Sequence, residues 1–86
     1  MDVEVVHRPE RSRFEAEVDG QTAYLAYEQH DSTVVLPHTV VPRELEGRGI
    51  AGDLTRVAVA WAREQSLEID PQCSYVRGWL AKHPEA

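Results

Sequence analysis

Hydrophobic residues in the first half of the chain recur at every second position, which is the period of a β-strand with one buried face. In the segment RFEAEV, at 13–18, three apolar residues alternate with two glutamates. The Asp19-Gly20 pair that follows is a signal for a two-residue hairpin turn, because both residues tolerate positive φ. The pattern as a whole predicts four strands, at 2–7, 13–18, 21–29 and 33–41.

The hydrophobic spacing changes to a helical one at Ile50. From there to Ala62, apolar residues recur three and four positions apart, which predicts an amphipathic helix over 50–66. A short strand over 66–70 and a second helix over 74–83 follow. The second half of the chain therefore predicts helix, strand and helix.

This order of elements predicts an α+β fold, with a mostly antiparallel sheet of about five strands and a C-terminal helix. The helix between the fourth and fifth strands predicts a right-handed crossover between parallel neighbours. Pro37 cannot donate to a ladder, so it predicts an edge, a bulge or a point where the fourth strand leaves its neighbour. Trp61 and Trp79 are expected in the core, and Ser74 is expected to cap the last helix.

Composition narrows the class of protein. The chain has 86 residues, 42% of them apolar and 28% charged, which is typical of one soluble globular domain spanning 1–86. We expect no membrane span and no secretory signal, and the single cysteine suits a reducing, cytoplasmic location. The net charge of −6 disfavours nucleic-acid binding and favours cationic partners.

The segment EGRGIAGDL, at 46–54, holds the first candidate chemistry. Its glycines surround the start of the predicted helix, where the first backbone amides have no helical acceptor and can bind an anion. Glycine also lets the backbone approach a phosphate closely, and Arg48 can add a charge-assisted contact. A phosphate cradle and an ordinary turn both fit this segment, whereas the dinucleotide-binding and Walker patterns do not.

Three segments resemble the small, single-domain members of the GNAT superfamily of N-acetyltransferases. They are LPHTVVP (36–42), EGRGIA (46–51) and PQCSYVRGWLAKHPE (71–85), of which the last is the most specific. The N-terminal hairpin segment is similar as well, so the resemblance covers nearly the whole chain. It implies a minimal GNAT fold and an acetyl-CoA-dependent enzyme that acetylates an amine, such as a protein lysine or a polyamine.

The resemblance also implies where the coenzyme binds. The loop amides would hold the pyrophosphate, and the pantetheine arm would pair with the fourth strand where that strand parts from the fifth. The binding residues implied in this way are Val40, Val41, Gly47, Arg48, Gly49, Ile50, Ala51 and Gly52. On the last helix, Tyr75 and Arg77 either flank the coenzyme or lie on the surface, and we include Tyr75 among the binding residues.

The resemblance places His38 and Cys73 near the acetyl group as the candidate catalytic residues. His38 could act as a general base, because the ordinary histidine pKa lies near the working pH, or it could be structural. Cys73 precedes a helix, whose dipole and amides lower a thiol pKa, so it could accept the acetyl group. Alternatively Cys73 is a buried packing residue and the amine attacks the thioester directly.

The remaining histidines and arginines have simpler expected roles. His83 is expected to cap the last helix, and His7 and His30 are expected on the surface. Arg43 and Arg56 join Arg48 as candidate cations for the coenzyme phosphates. The four histidines and one cysteine show no zinc-ligand spacing, so we expect no metal.

Two residues depart from the pattern of the subfamily that the chain resembles. Glu46 stands where the loop usually begins with Gln or Arg, and Val40 stands where an acid often follows His-Thr. These departures favour a second hypothesis, a non-catalytic acyl-CoA-binding or regulatory module with the same fold. A third hypothesis is a scaffold protein in which the glycine loop is only a turn.

Overall fold

The computed structural model describes residues 3–86. Within them, two helices are present where two were predicted, and the α+β class is confirmed. The predicted first strand, 2–7, begins at Asp2, which lies outside the described residues. In chain order the elements are β1 (Val6–Arg8), β2 (Arg13–Val18), β3 (Gln21–Ala26), β4 (Glu28–His30), β5 (Thr33–Val35), β6 (Thr39–Val40), α1 (Ile50–Glu64), β7 (Glu68–Asp70) and α2 (Ser74–Lys82). Short 3₁₀ turns occupy Pro9–Arg11 and Arg43–Leu45.

Four strands form an antiparallel sheet in the order β1-β2-β3-β6. The predicted hairpin turn joins β2 to β3, with φ of 53° at Asp19 and 76° at Gly20. Positive φ at both residues is typical of the type I′ turn, whose twist matches that of the strands. One face of this sheet, which includes Phe14 and Leu25, is buried against α1 and is called the inner face. The opposite face is called the outer face.

The sequence predicted one sheet, but the described strands form two. The second sheet has the order β4-β5-β7, with β5 antiparallel to β4 and parallel to β7. The parallel pairing across α1 confirms the arrangement predicted for the fourth and fifth strands. The predicted third strand, 21–29, is broken at Tyr27, whose N–H donates to the Ser12 carbonyl oxygen at 2.9 Å. That bond continues the register of β2 with β3, in which Ser12 faces Tyr27. The left-handed φ of 54° at Ser12 ends β2 there, and β4 pairs with β5 instead, so β3 and β4 belong to different sheets.

The predicted fourth strand changes neighbours at Pro37. The Leu36 N–H still donates towards β7, to the Asp70 carbonyl oxygen at 3.0 Å. The His38 carbonyl oxygen instead accepts from the Ala26 N–H on β3 at 3.2 Å. In a straight strand, positions two apart would bond on the same side, so the chain is kinked between them. The expectation that the strand leaves its neighbour at Pro37 is confirmed, and β5 and β6 are the two halves.

One hydrophobic core joins both sheets and α1. It contains Phe14 of the first sheet, Val34 of the second and Leu54 of α1. Trp61 packs against this core as predicted, whereas Trp79 does not belong to it. On α2, Val76 is the fully buried side chain and Leu80 packs against the core, whereas Trp79 is half-buried and stacks on His83 with ring centroids 4.1 Å apart. None of the helices described within residues 3–86 has the length and hydropathy needed to cross a membrane.

Two further expectations were wrong. His7 is not a surface residue, because β1 places it opposite Phe14 on the inner face. Its ring stacks on Phe14 with centroids 4.3 Å apart, and its Nε2 lies 2.8 Å from the Tyr27 hydroxyl oxygen. Ser74 is not the N-cap of α2, because the helix starts at Ser74 and Cys73 occupies the capping position.

Candidate functional site

The loop before α1 has the backbone geometry of an anion-binding site. Gly47 and Gly49 have φ of 82° and 78°, which residues with a side chain rarely adopt. Gly49 is the N-cap of α1, and its carbonyl oxygen accepts from the Asp53 N–H at 3.1 Å. The N–H groups of residues 50–52 have no acceptor within the helix, and no described side chain caps the helix start. The loop residues whose backbone amides could bind a phosphate therefore lie together at an open helix N-terminus.

Gly52, the third glycine of the loop segment, lies where a side chain would crowd Tyr75. It lies inside α1, and a Cβ at this position would be 3.3 Å from the Tyr75 hydroxyl oxygen. Tyr75 is near the start of α2 and reaches across to the start of α1. Gly52 therefore makes room for this side chain, a role that the sequence did not indicate because the two residues are far apart along the chain.

A continuous groove runs from the glycine loop to Cys73. Its first part, a cavity of about 380 Å³, lies at the loop, and its second part, about 460 Å³, reaches the cysteine. The two parts share four wall residues, Val41, Glu46, Ala51 and Tyr75. The groove thus follows the opening beside β6, between the starts of α1 and α2.

Cys73 lies at the far end of the groove, where it is the N-cap of α2. Its Sγ is 3.7 Å from the Thr39 Oγ1. Burial raises the pKa of the Cys73 thiol, but hydrogen bonds from the Val76 backbone, the Thr39 hydroxyl, and the backbones of Tyr75 and Thr39 lower it and prevail. The net pKa lies below its ordinary value, which favours the thiolate. Its role in acetyl transfer stays a prediction.

The backbone of β6 has one side towards β3 and the other towards the groove. His38 bonds to β3, and Val40, two residues later, pairs with β3 as well. Because alternate residues of an antiparallel strand direct their N–H and C=O groups to opposite sides, Thr39 and Val41 face the groove. The backbone of Thr39 bonds to the sulfur of Cys73 in agreement with this. Of the two predicted strand residues, Val41 is therefore the one whose backbone is open to a ligand.

His38 lies on the outer face of the sheet. Its ring meets that of Tyr24 edge-on, with centroids 6.2 Å apart. The next residue, Thr39, points to the inner face, where it contacts Cys73. The two candidate catalytic residues therefore approach the β6 edge from opposite faces and do not form a direct pair. Sequence reasoning missed Tyr24, because its contact with His38 depends on the register between β3 and β6.

The three candidate phosphate-binding arginines do not line the groove within the described chain. The Arg48 Nη1 lies 2.8 Å from the Asp19 Oδ2 at the β2–β3 turn. The Arg56 Nη2 lies 3.4 Å from the Asp53 Oδ1 on its own helix. The charged residue in the groove wall is Glu46. An anion in this groove would therefore rest on backbone amides, with Arg48 available only after it leaves Asp19.

The remaining singled-out residues lie outside the groove. His83 ends α2 as predicted, and its Nδ1–H donates to the Trp79 carbonyl oxygen at 2.8 Å. His30 is exposed at the end of β4, as predicted, and Arg77 is exposed on α2. In the part of the chain that the structure describes, no group of three or more His, Cys, Asp and Glu residues is placed to hold a metal ion.

Together these features fit the acetyltransferase class of fold that the sequence resembles. The open amides at the start of α1 fit a pyrophosphate, and a Cβ at Gly47 or Gly49 would meet nothing within 4 Å, so the approach to this backbone is clear. The backbone of Val41 fits the amide groups of a pantetheine arm. The residues present therefore fit coenzyme A.

Comparison with known proteins identifies the family. Residues 13–86 match the family described as GCN5-related N-acetyl-transferase. The chain is 33% identical over 85 residues to Protein NATD1 of Xenopus tropicalis, which covers 95% of this chain and 78% of that relative. It is 32% identical over 85 residues to Protein NATD1 of Gallus gallus and of Homo sapiens, with 95% of this chain and 77% and 75% of those relatives covered. The chain belongs to the GCN5-related N-acetyltransferase family, which confirms the resemblance and supports a general role in acetyl transfer.

Proposed function

We propose that the protein is an acetyl-CoA-dependent N-acetyltransferase that acetylates a primary amine. The observation that carries this proposal is the continuous groove from the open amides of α1 to Cys73. It offers phosphate donors at one end and an open strand edge at the other. Membership of the family supports the same chemistry.

Each part of the groove has a role in this function. Acetyl-CoA, when bound, supplies the acetyl group as a thioester. The amides of residues 50–52 would hold the pyrophosphate, and the backbone of Val41 would pair with the pantetheine arm as an added strand does. Tyr75, for which Gly52 leaves room, lines both the pyrophosphate region and the pantetheine region of the groove.

The amine has to lose a proton for acetylation to proceed. His38 is exposed on the outer face beside β6, where an acceptor can arrive from solvent, so it is placed to take that proton. Cys73 faces the same edge from the inner side with a lowered pKa. This placement makes Cys73 either a nucleophile that receives the acetyl group or the residue that shapes the end of the groove.

A second function, a non-catalytic acyl-CoA-binding module, is favoured by one observation. Glu46 lines the groove, while Arg48 and Arg56 are paired with aspartates outside it. A carboxylate there repels a polyanionic coenzyme, and salt screens part of this repulsion. Such a site would bind acetyl-CoA weakly and without turnover, so that its occupancy would follow the acetyl-CoA concentration.

Gly49→Ala and Gly20→Ala form a matched pair of variants that tests the coenzyme site. Gly49 and Gly20 have φ of 78° and 76°, and a Cβ on either would meet nothing within 4 Å. Each variant should therefore lose about 1–2 kcal/mol of stability through left-handed strain. Only Gly49 lies at the groove, so we expect Gly49→Ala alone to weaken acetyl-CoA binding, by about tenfold or more, because its Cβ obstructs the approach to the amides.

A thermal-shift titration with acetyl-CoA, with ATP as the control anion, measures this binding. At about 100 times its Kd, a ligand adds about 2.7 kcal/mol to the free energy of unfolding.

Release of the free coenzyme thiol in the presence of amines then separates the transferase from the non-catalytic binding module. A thermal shift with turnover supports the transferase, and a shift without turnover supports the binding module. The absence of any shift at millimolar acetyl-CoA would refute both and leave the glycine loop as a turn.

A further inference from the structure

A further cavity, of about 500 Å³, follows one side of α2. Its lining residues recur three and four positions apart, which is the spacing of one side of a helix, and they are Ser74, Tyr75, Gly78, Trp79, Lys82 and His83. We call this cavity the α2 groove. Tyr75 also lines both parts of the groove that leads to Cys73, and Ser74 lines its second part. The α2 groove therefore adjoins the proposed coenzyme site.

Gly78 keeps the floor of the α2 groove open. Glycine in the interior of a helix is less favourable than alanine, because its backbone loses more freedom on folding. A Cβ at Gly78 would meet nothing within 4 Å, so packing within the described chain does not require a glycine here, in contrast to Gly52. Because Gly78 lines the α2 groove, a side chain at this position would take up space in it. The glycine therefore suits a ligand that comes close to the backbone of α2.

One wall of the α2 groove is aromatic. Tyr75, Trp79 and His83 follow one another at intervals of four residues, so they lie one above the other along the helix. The rings of Trp79 and His83 are stacked, with centroids 4.1 Å apart and an angle of 17° between their planes. The hydrogen bond from His83 Nδ1 to the Trp79 carbonyl oxygen, at 2.8 Å, helps to hold this arrangement. A row of aromatic side chains of this kind fits a planar base.

Lys82 places a cation at the α2 groove. It is the single lysine of the chain, it is exposed, and it forms no ion pair within residues 3–86. By contrast, Arg48 and Arg56 are paired with aspartates. A lysine ammonium group binds phosphate as a point charge. The α2 groove therefore combines an aromatic wall with a cation that is available to an anionic ligand.

We propose that the α2 groove binds the adenosine 3′-phosphate end of coenzyme A, with the adenine against the aromatic wall and the 3′-phosphate at Lys82. The inference rests on the coenzyme binding of the proposed function and adds the specificity of that site. The pyrophosphate of coenzyme A joins the pantetheine arm to this nucleotide. Because the arm takes the route to Cys73, the nucleotide is left to turn past Tyr75 onto α2. The site then selects thioesters of coenzyme A over thioesters of phosphopantetheine, which lack the nucleotide.

Coenzyme A and 3′-dephospho-coenzyme A test the role of Lys82, because they differ only in the 3′-phosphate. In isothermal titration calorimetry the unmodified protein should bind coenzyme A about fivefold more tightly than the dephospho form. Lys82→Gln should bring the ratio of the two Kd values close to one. Arg77→Gln removes an exposed cation about 140° around the same helix and should leave the ratio unchanged. Equal affinities in the unmodified protein would overturn the inference.

Gly78→Leu and Ala81→Leu form a matched pair that tests the groove itself. Both positions are exposed on α2, but only Gly78 lines the α2 groove. Gly78→Leu should weaken the binding of coenzyme A by about tenfold, through the lost stacking of the adenine, and should not affect 4′-phosphopantetheine. Ala81→Leu should change neither affinity. If Gly78→Leu instead leaves the coenzyme affinity unchanged and abolishes a dimer seen in sedimentation, a second copy of the chain occupies the α2 groove and the inference is wrong.

A nucleotide fragment and the turnover assay separate this inference from the proposed function. Adenosine 3′,5′-bisphosphate should shift the resonance of the Trp79 indole N–H and leave that of Trp61, which packs against the core, in place. This shift and the predicted Kd ratio without turnover would uphold the α2 groove and count against the transferase alone. Turnover with equal affinity for both coenzymes would count against the α2 groove alone. The absence of binding by either coenzyme would refute both.

Discussion

Single residues in this protein take their chemistry partly from segments far away in sequence. The thiol of Cys73 receives backbone hydrogen bonds from Tyr75 and Val76, which follow it directly at the start of α2. It also forms a hydrogen bond with the hydroxyl group of Thr39, which belongs to β6. The first contribution could be predicted from a cysteine just before a helix, whereas the second depends on how β6 lies beside α2.

Replacing Thr39 by valine is expected to raise the pKa of Cys73, because a methyl group takes the place of the hydroxyl that stabilises the thiolate. The backbone donors remain, so the pKa should move only part of the way to its ordinary value. The rate of alkylation by iodoacetamide as a function of pH measures this pKa. The chain has a single cysteine, which makes the signal specific.

Thr22→Val on β3 is the matched control for this substitution. Thr22 is exposed and lies on a different strand, so the pKa of Cys73 should not change. We expect Thr39→Val to lose about 1 kcal/mol of stability with its hydrogen bond. If the pKa in Thr39→Val equals that of the unmodified protein, the backbone donors alone set the reactivity of this thiol.

At the scale of elements, an aromatic cluster joins β1 to α1. His7 on β1 stacks on Phe14, and its ring centroid is 5.0 Å from that of Trp61 on α1. The His7 Nε2 also lies 2.8 Å from the hydroxyl oxygen of Tyr27, which is buried. The sequence did not indicate that His7 is half-buried, because the first strand has no clean alternation and its register with β2 puts His7 on the inner face.

The attachment of β1 should weaken at acid pH. Burial lowers the pKa of His7, although Glu10 opposes this shift. The unfolded chain has an ordinary histidine pKa of about 6.5, so below that pH it binds a proton more readily than the folded protein does. Stability is therefore full above that pH and falls as the pH decreases towards the lower pKa of folded His7.

Urea unfolding followed by tryptophan fluorescence, at about pH 7.5 and about pH 5.5, measures this loss. His7→Phe keeps the stacking but cannot take up a proton, so its free energy of unfolding should fall less over this interval. His30→Gln removes an exposed histidine and should behave like the unmodified protein. Identical pH dependence in His7→Phe and the unmodified protein would show that His7 does not link stability to pH.

At the scale of the whole molecule, the two sheets share no ladder among the described strands but share one core. Phe14 and Val34 belong to different sheets, and both lie in the cluster that Leu54 of α1 completes. A chain of 86 residues has one modest core, so neither sheet should be stable by itself. We therefore expect residues 1–86 to unfold in one cooperative transition, as a single domain.

Calorimetry tests this expectation, because a two-state transition has equal calorimetric and van't Hoff enthalpies. Leu36→Ala removes a buried side chain just where β5 ends, and it should cost about 2–5 kcal/mol while leaving one transition. Gln29→Ala, at an exposed position of β4, should have little effect. Two separate transitions, in either variant or in the unmodified protein, would contradict the single domain.

The features that the sequence determined by itself are those whose causes lie close together along the chain. The helical period fixes α1, the Asp19-Gly20 pair fixes the hairpin, and Pro37 marks where the fourth strand is interrupted. The positive φ of Gly47 and Gly49 is likewise a local feature, whereas the sequence left open whether their loop binds a phosphate or is an ordinary turn. The α+β class follows from the order of such local signals.

Tertiary structure alone decided the features that depend on register and on packing between distant segments. It divided the strands into two sheets and turned the backbone of Val41 towards the groove. It also placed the Tyr75 hydroxyl against Gly52, and put His38 and Cys73 on opposite faces of the sheet. A shift of one residue in the pairing of β3 with β6 would exchange those faces, and no local pattern in the sequence specifies that register.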